Sequence, residues 1–300
     1  MVKPESIVMK SQFIKMTLLA LLGFSCSTQN DSSEDAAAGP LSLEGSWEIT
    51  EKIDHDGGKT EWEPFGTGLI YQKHVTPTHF TWVGYDPAND VVVGAGGGSY
   101  TLEGNKYVEN IEFFIPVEDG YVGQTITFEA ALEGDTWIHK GSTPLVEFDP
   151  EVGEVVVFDT TYIEEKWVKI KGSTENENFV KTWHLENYKP DPEATYDSHP
   201  DFVGYMKLIT PTHFVWIQYN NSDNGGEVIR LGSGTWSFDG TNYIENIDLW
   251  HPQGSNQIGT SVTFDYRIED GKWYHFGYVK QVENGVAVDS SFVDEIWASE

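Results

Sequence analysis

The chain has 300 residues, enough for two ordinary domains or one large one, and its 48 acidic against 18 basic residues give a formal charge of −30. That balance argues against nucleic-acid binding, which needs a basic face, and against adhesion to anionic lipid through a polybasic patch. Eleven Trp, 14 Tyr and 16 Phe supply packed cores rather than disorder, and 30 Gly beside them point to tight turns between strands.

Residues 1–25 read as a signal peptide: Lys3, Lys10 and Lys15 precede an apolar run, Met16 to Ser25, that is too short to span a bilayer. Cys26, the only cysteine, follows at once. This resembles a bacterial lipoprotein signal, with Leu22 four residues before the cysteine, and implies that Cys26 is lipidated. An unpaired cysteine in a secreted chain fits that reading. Residues 26–41 are small, polar and acidic, as in a flexible tether, and Gln29-Asn30-Asp31 is similar to the surface-export signal of Bacteroidota lipoproteins. The implied address is the outer membrane, periplasmic or surface-exposed, with the N-terminal lipid as the only membrane contact.

Downstream, the chain is written twice. Lys73 to Tyr85 (KHVTPTHFTWVGY) recurs as Lys207 to Tyr219 (KLITPTHFVWIQY), and Gly98 to Ile111 recurs as Gly234 to Ile247. Trp137-Ile-His139 matches Trp273-Tyr-His275, and Glu165-Lys-Trp167 matches Glu295-Ile-Trp297. Two domains are expected, 42–171 and 179–300, joined by a polar loop. In each copy, pieces rich in Val, Ile, Thr and aromatics alternate in character between Gly, Asn and Asp, which predicts nine or ten strands and no substantial helix. Glu103-Gly-Asn105, Glu133-Gly-Asp135 and Glu269-Asp-Gly271 read as hairpin turns. Gly94 to Gly98 (GAGGG) lacks the helix and Lys-Ser/Thr of a phosphate loop and is expected to allow close strand approach. Consecutive hairpins suggest an all-β fold of two tandem antiparallel up-and-down barrels, with a β-sandwich as the alternative.

Gly45-Ser-Trp47 is similar to the Gly-x-Trp opening of lipocalins, whose Trp plugs the barrel floor; the second copy keeps the Trp but not the Gly, as Lys181-Thr-Trp183. The Gly-x-Tyr/Trp strand and the late Glu-x-Trp strand resemble lipocalin-like domains of bacterial lipoproteins. That resemblance implies a barrel whose lumen holds a small apolar or aromatic molecule.

Residues two apart on a strand share a face, so Tyr107, Glu109 and Ile111 point one way, as do Tyr243, Glu245 and Ile247. A carboxylate on an apolar face requires a partner. His79 and His139 in copy one, and His213 and His275 in copy two, are the candidates, the second of each pair sharing a face with Trp137 or Trp273. Glu165 and Glu295 are expected to meet Lys73 or Lys207. Two His and one Glu per copy could serve as a metal site, as an acid–base pair, as polar contacts for a bound ligand, or as ties between strands. The reading carried forward is ligand binding by Tyr107, Glu109, Trp137, His79 and His139, and by Tyr243, Glu245, Trp273, His213 and His275. No metal and no other cofactor is predicted. The alternatives are an isomerase or cyclase with a Glu–His pair and a scaffold whose barrels are filled.

Overall fold

The computed structural model describes residues 40–66, 68–117, 120–149, 154–172, 176–221, 225–283 and 286–300. The expected signal peptide, Cys26 and nearly all of the expected tether lie outside the described residues. No helix of the described residues is long and apolar enough to cross a membrane.

Strands form where apolar and polar residues alternate. In β1 (Gly45–Lys52) Trp47 and Ile49 are buried while Glu48 and Thr50 are exposed. The first sheet continues through β2 (Glu63–Pro64), β3 (Ile70–Val75), β4 (His79–Asp86), β5 (Val91–Glu103), β6 (Lys106–Asn110), β7 (Phe113–Ile115), β8 (Thr125–Glu133), β9 (Thr136–Asp149) and β10 (Glu154–Lys169). Short β2 and β7 hang on β1 and β5; the other eight form an up-and-down meander that closes by pairing β10 with β1. The second sheet comprises β11 (Thr182–Tyr188), β12 (Asp197–Ser198), β13 (Val203–Ile209), β14 (His213–Asn220), β15 (Val228–Phe238), β16 (Asn242–His251), β17 (Ser261–Glu269), β18 (Lys272–Glu283) and β19 (Val286–Ser299). It closes in the same way, β19 on β11, with β12 as its only short appendage among the described residues. Two closed eight-stranded antiparallel barrels result, consistent with a lipocalin-like fold.

The glycine run does allow close approach. At Gly98, where φ is +152°, a Cβ would lie 2.1 Å from the Asn110 carbonyl oxygen on the neighbouring chain segment, and at the equivalent Gly234 it would lie 1.9 Å from that of Asn246. Only glycine lets β5 and β15 cross their neighbours there.

Among the described residues, three apolar clusters hold the barrels. One fills barrel one around Trp47, Phe80, Tyr107, Phe128, Trp137 and Trp167, and a second fills barrel two around Phe179, Trp183, Phe214, Tyr243, Trp273 and Trp297. The third joins the barrels: Val83, Tyr85, Ala95 and Phe113 of barrel one pack with Leu208, Val215, Ile217, Tyr219 and Leu231 of barrel two. Two hydroxyl pairs flank this seam, Ser46 Oγ to Thr210 Oγ1 at 2.7 Å and Thr76 Oγ1 to Thr182 Oγ1 at 2.6 Å. Ser46 and Thr182 occupy equivalent places in the repeats, as do Thr76 and Thr210. Each pair therefore exchanges the roles of the other, the mark of an isologous contact within one chain.

Candidate functional site

In barrel one, inward positions of four strands converge on one ammonium group. β3 turns Tyr71, Lys73 and Val75 inward, and β6 turns Tyr107 and Glu109 inward. Lys73 Nζ lies 2.9 Å from Glu109 Oε1, with both side chains buried. Around the ammonium stand the rings of Phe80, Tyr107, Trp137 and Trp167, with centroids 5.1–5.8 Å away. Ring faces complement the cation, and the carboxylate neutralises it. Trp47 closes this end: its Nε1–H donates to the Leu43 carbonyl at 2.8 Å, and its ring meets Trp137 edge-on at 5.6 Å.

A second polar chain runs beside it. His139 Nδ1 is 3.3 Å from Glu165 Oε2, which also accepts the Trp167 indole N–H at 3.0 Å. His139 is almost fully buried, and its pKa is lowered by that burial and by the Lys73 charge against the pull of Glu165 and Glu109. The imidazole is neutral at pH 7, and a carboxylate beside Nδ1 assigns the proton to that nitrogen. Nε2 is then a bare acceptor, and it has no protein hydrogen-bond partner. Burial pushes Glu165 up, yet the His139 hydrogen bond, the Lys73 charge and the Trp167 N–H pull it down, and the net shift is down.

Beyond this filled end, the barrel-one lumen opens into a cavity of about 520 Å3. Its walls include Ile49, Tyr71, Trp82, Ile111, Phe114 and Phe128, and its polar lining includes Lys73, Glu109, His139, Thr143 and Glu165. The Thr143 hydroxyl is buried and, like His139 Nε2, lacks a protein partner.

Barrel two repeats the polar core. Lys207 Nζ lies 2.7 Å from Glu245 Oε1, amid the rings of Tyr243, Trp273 and Trp297, and His275 Nδ1 lies 3.3 Å from Glu295 Oε2. Here burial wins at Glu295, whose pKa is raised, while burial holds His275 well below the usual imidazole range. The open end is packed differently. Trp250 occupies the place of Phe114 and meets Trp216 edge-on at 4.9 Å, and Tyr205 meets Trp297 at 5.0 Å.

These positions revise the expected constellation. Glu109 and Glu245 do point inward and are buried, but their partners are Lys73 and Lys207. The histidines His139 and His275 join Glu165 and Glu295 instead. His79 and His213 do not enter the lumens. Strand alternation sets them on the face of Val83 and Val215, opposite Phe80 and Phe214, and that face is covered by the other barrel. Tyr107, Trp137, Tyr243 and Trp273 are fully buried against the lysines, in the filled ends. Sequence reasoning missed the lysines as the glutamates' partners. The signal was present, since each sits two residues from Tyr71 or Tyr205 on an inward face in both copies. Compared with known proteins, the chain matches no family model and no curated sequence.

Proposed function

We propose that barrel one is a binding module for a small apolar or aromatic molecule carrying a hydrogen-bond donor, and that Cys26 anchors it to the outer membrane by a lipid. The observation that carries this reading is the barrel-one cavity, whose volume lies within the range of small-molecule sites and whose walls are mainly aromatic and aliphatic. His139 Nε2 and Thr143 Oγ1, buried and unpartnered, would take a hydroxyl or amine of the ligand. The pairing of Glu109 with Lys73 supports binding over acid–base catalysis by that carboxylate, because the Lys73 ammonium, 2.9 Å from Oε1, already occupies it. Barrel two, with Trp250, Trp216, Tyr205 and Trp297 in ring contact, serves as a packed support.

Phe114→Trp copies the barrel-two residue into the pocket wall, so the fold has already accommodated that indole at this register. With the neutral fluorophore N-phenyl-1-naphthylamine as probe, the unaltered chain should show saturable uptake. Phe114→Trp should weaken it at least about ten-fold, the loss expected when about 1.4 kcal/mol of pocket contact is removed, with an unchanged circular dichroism spectrum. Equal uptake by both chains sinks the reading. For the anchor, Cys26→Ser should move the protein from the membrane to the soluble fraction; continued sedimentation with membranes counts against it.

A further inference from the structure

The seam between the barrels brings together two histidines and a glutamate that neither lumen uses. His79 opens β4 and is 4% exposed. His184 belongs to β11, and Glu300 follows β19. His79 Nδ1 is 3.3 Å from Glu300 Oε2, and His184 Nε2 is 3.5 Å from Glu300 Oε1. One ligand atom from each of the three residues falls within 4.8 Å of the others, and the imidazole centroids are 5.3 Å apart.

We propose that His79, His184 and Glu300 form a binding site for one transition-metal dication of the zinc class, clamping barrel one to barrel two. Ligand atoms about 2.1 Å from a tetrahedral zinc ion stand about 3.4 Å from one another; the two histidine–carboxylate distances, 3.3 and 3.5 Å, match that spacing. Two imidazoles and one carboxylate suit zinc and its neighbours, and leave a position for water. His184 Nε2 is shielded from solvent and has no hydrogen-bond partner, so a lone pair is available to the ion.

The surroundings supply the outer support such sites use. His79 Nε2 faces Glu112 Oε1 at 3.9 Å, and Glu112 is itself held by the Ser99 backbone N–H at 3.0 Å and the Tyr219 hydroxyl at 3.2 Å. Glu112 thus stands as a fixed carboxylate behind the distal nitrogen of His79, while Nδ1 faces Glu300. Thr78 Oγ1, 2.9 Å from His79 Nδ1, competes for that lone pair in the metal-free chain, and its hydroxyl is free to rotate away.

The repeat provides an internal contrast. His213 keeps the same bond to Thr212, at 2.8 Å, but its ring neighbour is His74. Glu48 stands in the first copy where the second has His184, and Ile170 stands where the second has Glu300. The Thr–His pair thus belongs to the fold of both copies, whereas the two added ligands occur once and meet at one point.

Zinc titration by calorimetry on the full chain tests the proposal, with Cys26→Ser to remove the thiol and excess Mg2+ to occupy the acidic surface. One Zn2+ should bind per chain, with affinity falling at least about ten-fold in His184→Ala and, separately, in Glu300→Gln, while His251→Ala changes nothing. Co2+ should give an intense tetrahedral absorption band that is lost in the same two variants. Absence of a saturable 1:1 site overturns the proposal, and so does undiminished binding in folded His184→Ala or Glu300→Gln.

Discussion

Lys73 and Glu109 show how one buried pair sets the limits of substitution. Both are shielded from water, and each is what makes the other tolerable there. Glu109→Ala leaves an ammonium among four aromatic rings without its counter-charge, so it should cost about 3–5 kcal/mol of stability. Replacing the pair together, Lys73→Met with Glu109→Leu, should recover most of that loss, because no charge is then left unpaired. Urea unfolding of the single and double variants measures the coupling; a double variant no more stable than Glu109→Ala refutes the account. The inward phase of Glu109 and Glu245 was legible from their Tyr and Ile neighbours. The choice of partner was not, because it depends on which strands face each other across the lumen.

At the scale of the strand, period-two alternation carried most of the information. β8 and β17 alternate between exposed and covered positions along most of their length, and the three expected hairpin turns fall between β5 and β6, β8 and β9, and β17 and β18. β4 is where alternation misled, because apolar side chains occupy both of its faces. Phe80 and Trp82 fill barrel one, while Val83 and Tyr85 pack on barrel two. A strand covered on both sides has no polar phase to mark its outside, so His79 was assigned to the wrong face. The crossing of β5 is a sharper constraint. Gly98→Ala would place a methyl 2.1 Å from a backbone oxygen, a clash no rotamer change relieves. We expect it to cost at least about 2 kcal/mol, with Gly234→Ala behaving alike. Urea midpoints within error of the unaltered chain would show that the strands can separate there without loss.

For the whole molecule, the seam makes stability depend on pH. Burial lowers the His213 pKa from 6.5 to about 4, and burial together with the nearby His213 holds His74 well below its usual value. The unfolded chain takes up a proton at His213 near pH 6.5, the folded chain only near pH 4. Between those values the unfolded state binds more protons, so folding weakens as pH falls. His213 alone should contribute about 1.4 kcal/mol of loss per pH unit across that window and about 3 kcal/mol in all. His213→Gln should flatten the profile of urea stability between pH 6.5 and 4 relative to the unaltered chain; parallel profiles would remove His213 from the account.

The sequence by itself determined the duplication, the all-β class, the hairpins and the inward carboxylates. Each of these is written in local spacing, through alternation, turn residues and the recurrence of a segment. Only the tertiary structure decided that each glutamate is held by a lysine, that the outer faces of β4 and β14 form one core, and that the two barrels differ at their open ends. Those outcomes depend on pairings between residues far apart in the chain: Lys73 with Glu109 across a lumen, and Ser46 with Thr210 across a seam. The period of a single strand says which residues share a face. It does not say what lies opposite.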